Sequence, residues 1–326
     1  MSNDWKETFI RLYLSDNHND YSAALALKKS NLPTKLYRYR SIEATDNFIH
    51  AMNEMKKGEL FLSQPANFND AFDSFSVLSS KNYLDYWKNP SPLRESMKNH
   101  FSEDELSAIF DREDWREVYA KTAAERIATE NNIKLDDVAE VLNAAIMEQL
   151  IDLNNAFNKM VRMSRIACFT ESHTNLPMWT HYANEQQGIC FEYDTGKLTE
   201  PFHTSRMFPV LYVEKMLDVV FELFQSRNKK PPFGLLDSIA IQKHQDWSYE
   251  KEWRIVYPVG AFYFSPNDVP PDYDQQGMHI RFIRPSKVYL GYNVSTDIEN
   301  SIRDTANAIE IEIMKLKVTP YGLSIT

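Results

Sequence analysis

Glycine is scarce in this chain, at 8 of 326 residues. Neither the Gly-rich phosphate loop of nucleoside triphosphatases nor a dinucleotide-binding Gly-x-Gly-x-x-Gly turn can be assembled from so few. Cysteine is scarcer still. Cys168 and Cys190 have neither metal-ligand spacing nor a disulfide framework, which fits a reducing compartment, and each sits in an apolar strand pattern where a buried, inert thiol is expected. Positive charge is in deficit: 36 Lys and Arg stand against 46 Asp and Glu, for a formal net charge of −10 and a pI near 5.4. That balance argues against a general surface for duplex nucleic acid, because phosphate neutralisation needs clustered Lys and Arg; it leaves room for a local basic groove. No apolar run approaches the roughly 20 residues needed to span a bilayer. The acidic start MSNDWKETFIRLYLSD lacks the basic stretch, apolar run and small-residue cleavage site of a secretory signal. The expectation is a cytoplasmic protein with no membrane association.

What is present is material for a core, with 43% hydrophobic and 13% aromatic residues. Trp5, Phe9, Ile10 and Leu14 recur at helical spacing, so residues 3–14 and 19–30 read as two short helices of an N-terminal cap, 1–33, closed by Pro33. KLYRYR and ELFLS read as strands on either side of a helix that carries Phe48, Ile49, Met52 and Met55 and stops at Gly58. From 81 to 165 the texture becomes charged, alanine-rich and helical, with Ser102 and Glu105 spaced as a capping box. This stretch is expected to be an all-helical insertion, and a protein partner is the function such a surface suggests. Strand patterns return in RIACFTE, ICFEYD, FPVLYV, EWRIVYPV, HIRFIRP, KVYLGYNV and IEIMKLKV, with two helical runs between Val213 and Trp247 and another at about 295–308. The fold class is therefore α+β: a mixed or antiparallel sheet core over 34–80 and 166–326, flanking helices, and the insertion.

Residues able to do chemistry fall in four places. Alternation along KLYRYR puts Arg38 and Arg40 on one face, where two guanidiniums suit an anion such as a pyrophosphate; an edge strand with both facing solvent is the plainer reading. In LSQPANFNDAFD, Ser63 ends a strand, Phe68, Phe72 and Phe75 are spaced to enter a core, and Asn69, Asp70 and Asp73 can hold the loop. A metal on Asp70 and Asp73 would need carboxylates that the local sequence does not supply. In NLPMWTHYANEQQG, Asn175 caps a helix from Leu176 to about Gln187 with Gly188 just beyond it. Trp179 reads as core, whereas His181 and Tyr182 are candidate site residues. In WSYEKEWRIVYP, Glu250 and Glu252 are two apart before an apolar run, so on a strand both carboxylates share a face with Arg254 and could take a proton or stabilise a cation.

In that order, LYRYRS, LFLSQPANFNDAFD, IACFTE, MWTHYANEQQGICFEYD and YEKEWRI resemble the bacterial family known as domain of unknown function 2971, over roughly 36–259 without the helical insertion. The resemblance implies a phage-defence or toxin-like setting and names no reaction. More loosely, an Arg on a first strand, a Ser ending a second and Glu-x-Glu at the head of a late one is similar to the layout of ADP-ribosyltransferases. That resemblance implies an NAD-binding enzyme: Arg38 or Arg40 on the diphosphate, Ser63 at the nicotinamide ribose, Glu252 beside the oxocarbenium-like centre and Glu250 assisting the acceptor. QPANF after Ser63 and the Trp-His-Tyr helix depart from that pattern. The competing expectations are a non-enzymatic sensor or adaptor acting through the insertion and a metal-dependent nuclease.

Overall fold

The computed structural model describes residues 4–15, 17–43, 45–79, 98, 101–131, 148, 151–219, 222, 234–257, 277–320 and 322–325. The chain divides into two compact units, one of Met1–Ser74, Met160–Lys215 and Leu236–Thr326, the other of Phe75–Lys159 with Met216–Leu235.

The first unit opens with helices α1 (Asp4–Tyr13) and α2 (His18–Ser30), the latter capped by the Asn17 side chain, which accepts from Asn19 N. Strand β1 (Lys35–Arg40), helix α3 (Thr45–Lys57) and β2 (Glu59–Ser63) follow. Then come β3 (Arg165–Thr170), α4 (Leu176–Tyr182), β4 (Ile189–Asp194), α5 (Pro201–Arg206), β5 (Met207–Pro209) and β6 (Leu211–Val213). The unit ends with β7 (Gln242–His244), β8 (Glu252–Tyr257), β9 (Gly277–Arg281), β10 (Lys287–Leu290), α6 (Thr296–Ala308), β11 (Glu312–Thr319) and β12 (Gly322–Ile325). Ten of these strands make one mixed, mostly antiparallel sheet in the order β12-β11-β10-β4-β1-β3-β2-β9, with β8 on β3 and β5 on β8; β6 and β7 form a separate parallel pair. With its flanking helices, the unit is α+β.

Period-two alternation sorts β1 onto two cores. Leu36 joins Phe169, Phe191, Tyr193, Trp253 and Ile255 with Met52 and Met55 of α3 and Ile302 of α6. Tyr37 and Tyr39 join Trp179, Met178, Cys190 and Tyr289 on the other side. Because β1 lies between β4 and β3, it is interior, and the edge-strand reading of Arg38 and Arg40 is overturned: Arg38 is buried.

Three further expectations are corrected. FPVLYV is not one strand; β5 pairs with β8 and β6 turns away to β7, a break at Pro209 and Val210 where proline brings no N–H for a continued ladder. Phe72 does not enter the core but is 64% exposed, its backbone held by Asp70 Oδ1 at 2.9 Å. The helix of the NLPMWTHY stretch stops at Tyr182 rather than near Gln187, since Asn184, Glu185 and Gln186 all take left-handed φ values.

In the second unit, helix Glu103–Phe110 begins with the expected capping box between Ser102 and Glu105 and buries Leu106, Ile109 and Phe110. Helix Trp115–Asn131 follows. Asn154 and Asn158 both bind the Ser76 hydroxyl, at 3.0 and 3.1 Å. Much of 81–165 lies outside the described residues, as does most of the first helical run expected after Val213. No helix among the described residues is long and apolar enough to cross a membrane.

Candidate functional site

A notch in the sheet makes the site. One edge of β3 is fully paired, with Arg165–Thr170 matched residue by residue to β8. The other edge holds only two single bridges, Thr170 to Tyr37 of β1 and Ile166 to Ser63 of β2, so β1 and β2 splay apart over Ala167–Phe169. A cavity of about 390 Å³ opens there, within the roughly 300–1,000 Å³ range of small-molecule sites. Arg38, Arg40, Ser63, His181, Tyr182, Glu250 and Glu252 all line it. Seven residues drawn from four separate sequence stretches thus share one cavity, in the first unit alone.

On one wall stand Arg38 and Arg40, held from behind by Glu54 of α3. Arg38 Nη2 donates to the Phe61 carbonyl at 2.8 Å, and the two guanidiniums sit 3.5 and 3.7 Å from the Glu54 carboxylate, which also accepts from the Tyr193 hydroxyl. One carboxylate faces two cations, so the wall keeps surplus positive charge. Nε and Nη1 of Arg38, and Nε and Nη2 of Arg40, are buried without a hydrogen-bond partner. Burial and the neighbouring Arg38 charge lower the Arg40 pKa to about 10. The two Nε atoms are those nearest Glu54, which leaves Arg38 Nη1 and Arg40 Nη2 with no acceptor at all; orphaned buried donors are uncommon, and on residues that line a cavity they suit an acceptor that is not part of the chain.

A second part of the lining is a closed ionic network. Arg254 uses every guanidinium nitrogen: Nε on Glu252 at 2.8 Å, Nη1 on Asp73, Ser74 and the Ala240 carbonyl, and Nη2 on Asp73 and Glu252. Lys243 adds contacts of 2.6 Å to Glu250, 3.4 Å to Glu252 and 3.6 Å to Asp73. The two glutamates are driven apart in proton affinity. Burial alone would raise the Glu252 pKa, but Arg254 and Lys243 outweigh it and hold it at about 2. Glu250 goes up, through burial and the adjacent Glu252 charge, against the pull of Lys243. A carboxylate fixed in its charged form beside one that takes up a proton is the pairing that general acid–base sites use.

The expected reason for their convergence does not hold. Glu250 ends a 3₁₀ turn, Gln245–Glu250, and Lys251 is left-handed at φ 46, so β8 begins only at Glu252. The carboxylates do not share a strand face; they meet because both reach the Lys243 ammonium.

Helix α4 forms a third side. Asn175 accepts from Met178 N at 3.3 Å, and its amide donates to the Tyr249 carbonyl at 2.7 Å, tying the helix start to the turn that carries Glu250. Trp179 is fully buried, edge-on to Tyr39 at 5.0 Å, with its indole N–H on the His173 carbonyl at 2.7 Å. The Tyr182 hydroxyl donates to Glu250 Oε1 at 2.7 Å. His181 lies exposed at the rim, its ring 6.3 Å from Trp247. The chain then needs Gly188: a Cβ there would lie 2.3 Å from the Arg40 carbonyl. The Ser63 hydroxyl makes long contacts, accepting from the Asn67 amide at 3.4 Å and donating to the Gln64 carbonyl at 3.5 Å.

Asp73, Lys243 and Arg254 were not among the expected site residues. Arg254 was signalled as a strand neighbour of Glu252, and Asp73 only as a loop residue. Lys243 carried no such signal: its strand is only Gln242–His244, directly after the helix Leu235–Ala240. Of the loop carboxylates, Asp70 holds Phe72 N through Oδ1, and both Asp73 oxygens are on Arg254. Among the described residues, no group of three His, Cys, Asp or Glu side chains is placed to hold a metal ion.

No curated protein and no solved structure matches the chain. Residues 178–255, which carry His181, Tyr182, Lys243, Glu250, Glu252 and Arg254 but neither Arg38, Arg40 nor Ser63, match the family described as Protein of unknown function (DUF2971), so it is to that family that this part of the site is similar.

Proposed function

We propose that the chain is an enzyme that holds a nucleotide by its phosphates in the β1–β3 notch and breaks a glycosidic bond of it, with NAD as the candidate substrate. The observation that carries this reading is the make-up of one cavity lining: two buried guanidiniums that share a single carboxylate and keep nitrogens without a hydrogen bond, and two carboxylates of opposed proton affinity. Phosphate oxygens are the acceptors that planar guanidiniums match best. In the reaction, the bond from ribose C1′ to the nicotinamide nitrogen breaks, and nicotinamide leaves with the electron pair. The positive charge that grows on the ribose is stabilised by Glu252, the carboxylate held ionised. An acceptor hydroxyl or water forms the new bond to C1′ and gives its proton to Glu250. In a phage-defence setting, such an activity would act as a toxin by consuming NAD or by marking a target.

Calorimetry with NAD and ADP, followed by assay of nicotinamide release, tests this. Both ligands are expected to bind the wild type, and Glu250→Gln is expected to keep binding NAD while releasing nicotinamide about 10²–10⁴-fold more slowly. No binding of either nucleotide, or an unimpaired Glu250→Gln enzyme, would sink the reading.

A further inference from the structure

The reaction above leaves Lys243 without a role, although no other ammonium touches the carboxylate cluster among the described residues. Its place is set by the scaffold rather than by Glu250. Lys243 sits in β7 opposite Tyr212 of β6, and the Tyr212 hydroxyl in turn accepts from Glu252 N at 2.8 Å. The Trp247 ring roofs the ammonium at 4.8 Å. Glu252 and Asp73 already receive the Arg254 guanidinium, whereas Glu250 has no arginine contact among the described residues; its two oxygens go to Lys243 at 2.6 Å and to Tyr182 at 2.7 Å.

We propose that Lys243 is the positioning residue of this site: anchored against the Asp73–Arg254–Glu252 cluster and roofed by Trp247, it keeps the Glu250 carboxylate ionised, with one oxygen on its ammonium and the other on the Tyr182 hydroxyl. The inference rests on Glu250 being the proton acceptor. The groups that face Glu250 are Tyr182 from α4, Lys243 from β7, Tyr212 from β6, Glu252 from β8 and its own neighbour Tyr249. Lys243 is the one cation in that set. Burial and the Glu252 charge both favour the protonated carboxyl, and Lys243 is the chief opposing influence. Remove it and a buried carboxyl beside a permanent carboxylate holds its proton, leaving no base.

The test is a pH titration of the full chain by NMR with ¹³C-carboxyl glutamate, the Glu250 resonance being identified by its loss in Glu250→Gln. Lys243→Met is expected to raise the Glu250 midpoint by about 1–3 pH units, and Lys243→Arg, which keeps the cation, to return it toward the wild-type value. An unmoved midpoint in a folded Lys243→Met protein overturns the proposal. Should that variant not fold, the wild type still decides: the ¹³Cε resonance of Lys243 must move at the Glu250 midpoint, and a flat Lys243 signal there overturns it equally. Neither readout needs a substrate, so failure of NAD as the ligand is told apart from failure of Lys243 as the residue that holds Glu250.

Discussion

Arg254 and Arg38 border the same cavity and are both buried, yet their surroundings differ in kind. Arg254 is saturated, with two carboxylates, a hydroxyl and a carbonyl on its three nitrogens. Arg38 has one carbonyl on Nη2 and, on Nε, a share with Arg40 of one distant carboxylate that makes no hydrogen bond to it, and Nη1 has neither. Burying a guanidinium is costly in either place. On the first wall the chain offsets that cost with its own atoms, and on the second it leaves the cost standing. Satisfied cations are what a scaffold needs; unsatisfied ones facing a cavity suit a ligand that brings its own negative charge.

The strongest way to break this comparison is to remove Arg254. Arg254→Met would leave Asp73 and Glu252, both nearly inaccessible to water, with only Lys243 for compensation. Taking one partner from a buried ion pair costs about 3–5 kcal/mol. The variant is expected to lose stability on that scale in urea unfolding, and a loss under about 1 kcal/mol would show that the network is not what holds this wall together.

Acid sharpens the same contrast with a smaller effect. The Glu252 pKa is held at about 2 in the folded chain, below the roughly 4.3 of an unfolded glutamate. A depressed acid stabilises the fold above its unfolded value and loses that contribution as pH falls through the folded one. The stability gap between the wild type and Glu252→Gln is therefore expected to be widest at neutral pH and to close between about pH 4.3 and 2. Glu250 has the opposite sign: its raised affinity for a proton works against folding as pH rises past the unfolded value. Urea midpoints of the two proteins across that window check the prediction, and a gap that does not change with pH would contradict it.

How much of this was legible in the sequence follows from the range of each interaction. The face shared by Arg38 and Arg40 was, because period two is a property of β1 alone, and so was the burial of Trp179 on a short capped helix. Glu250 and Glu252 do meet at the cavity, but the strand face expected to bring them together does not exist, because the left-handed Lys251 takes Glu250 off the strand. Lys243 could not be found, since its partners at 73, 250 and 252 are brought to it by the meeting of β7, β8 and a loop, and no local spacing records that. Phe72 misled in the opposite direction, its aromatic spacing with Phe68 and Phe75 being a pattern that the Asp70 turn overrides.

The finest separation of the two walls comes from a substitution that should hardly disturb the fold. In Arg40→Met, Glu54 loses the 3.7 Å contact to Arg40 but keeps Arg38 and the Tyr193 hydroxyl as partners, two buried nitrogens without hydrogen bonds disappear, and an apolar chain takes the place of a poorly satisfied cation. Because Glu54 keeps one cation and no buried charge is left unpaired, the cost of breaking a buried pair does not arise, and urea unfolding should move far less than in Arg254→Met. Nucleotide affinity should fall, because a charge-assisted hydrogen bond to a phosphate contributes about 1.5–3 kcal/mol, or roughly 10–100-fold in Kd. A variant that unfolds as readily as Arg254→Met would make Arg40 part of the scaffold. One that keeps both its stability and its affinity would move the phosphate contact to Arg38 alone, where the same pair of measurements on Arg38→Met would then have to find it.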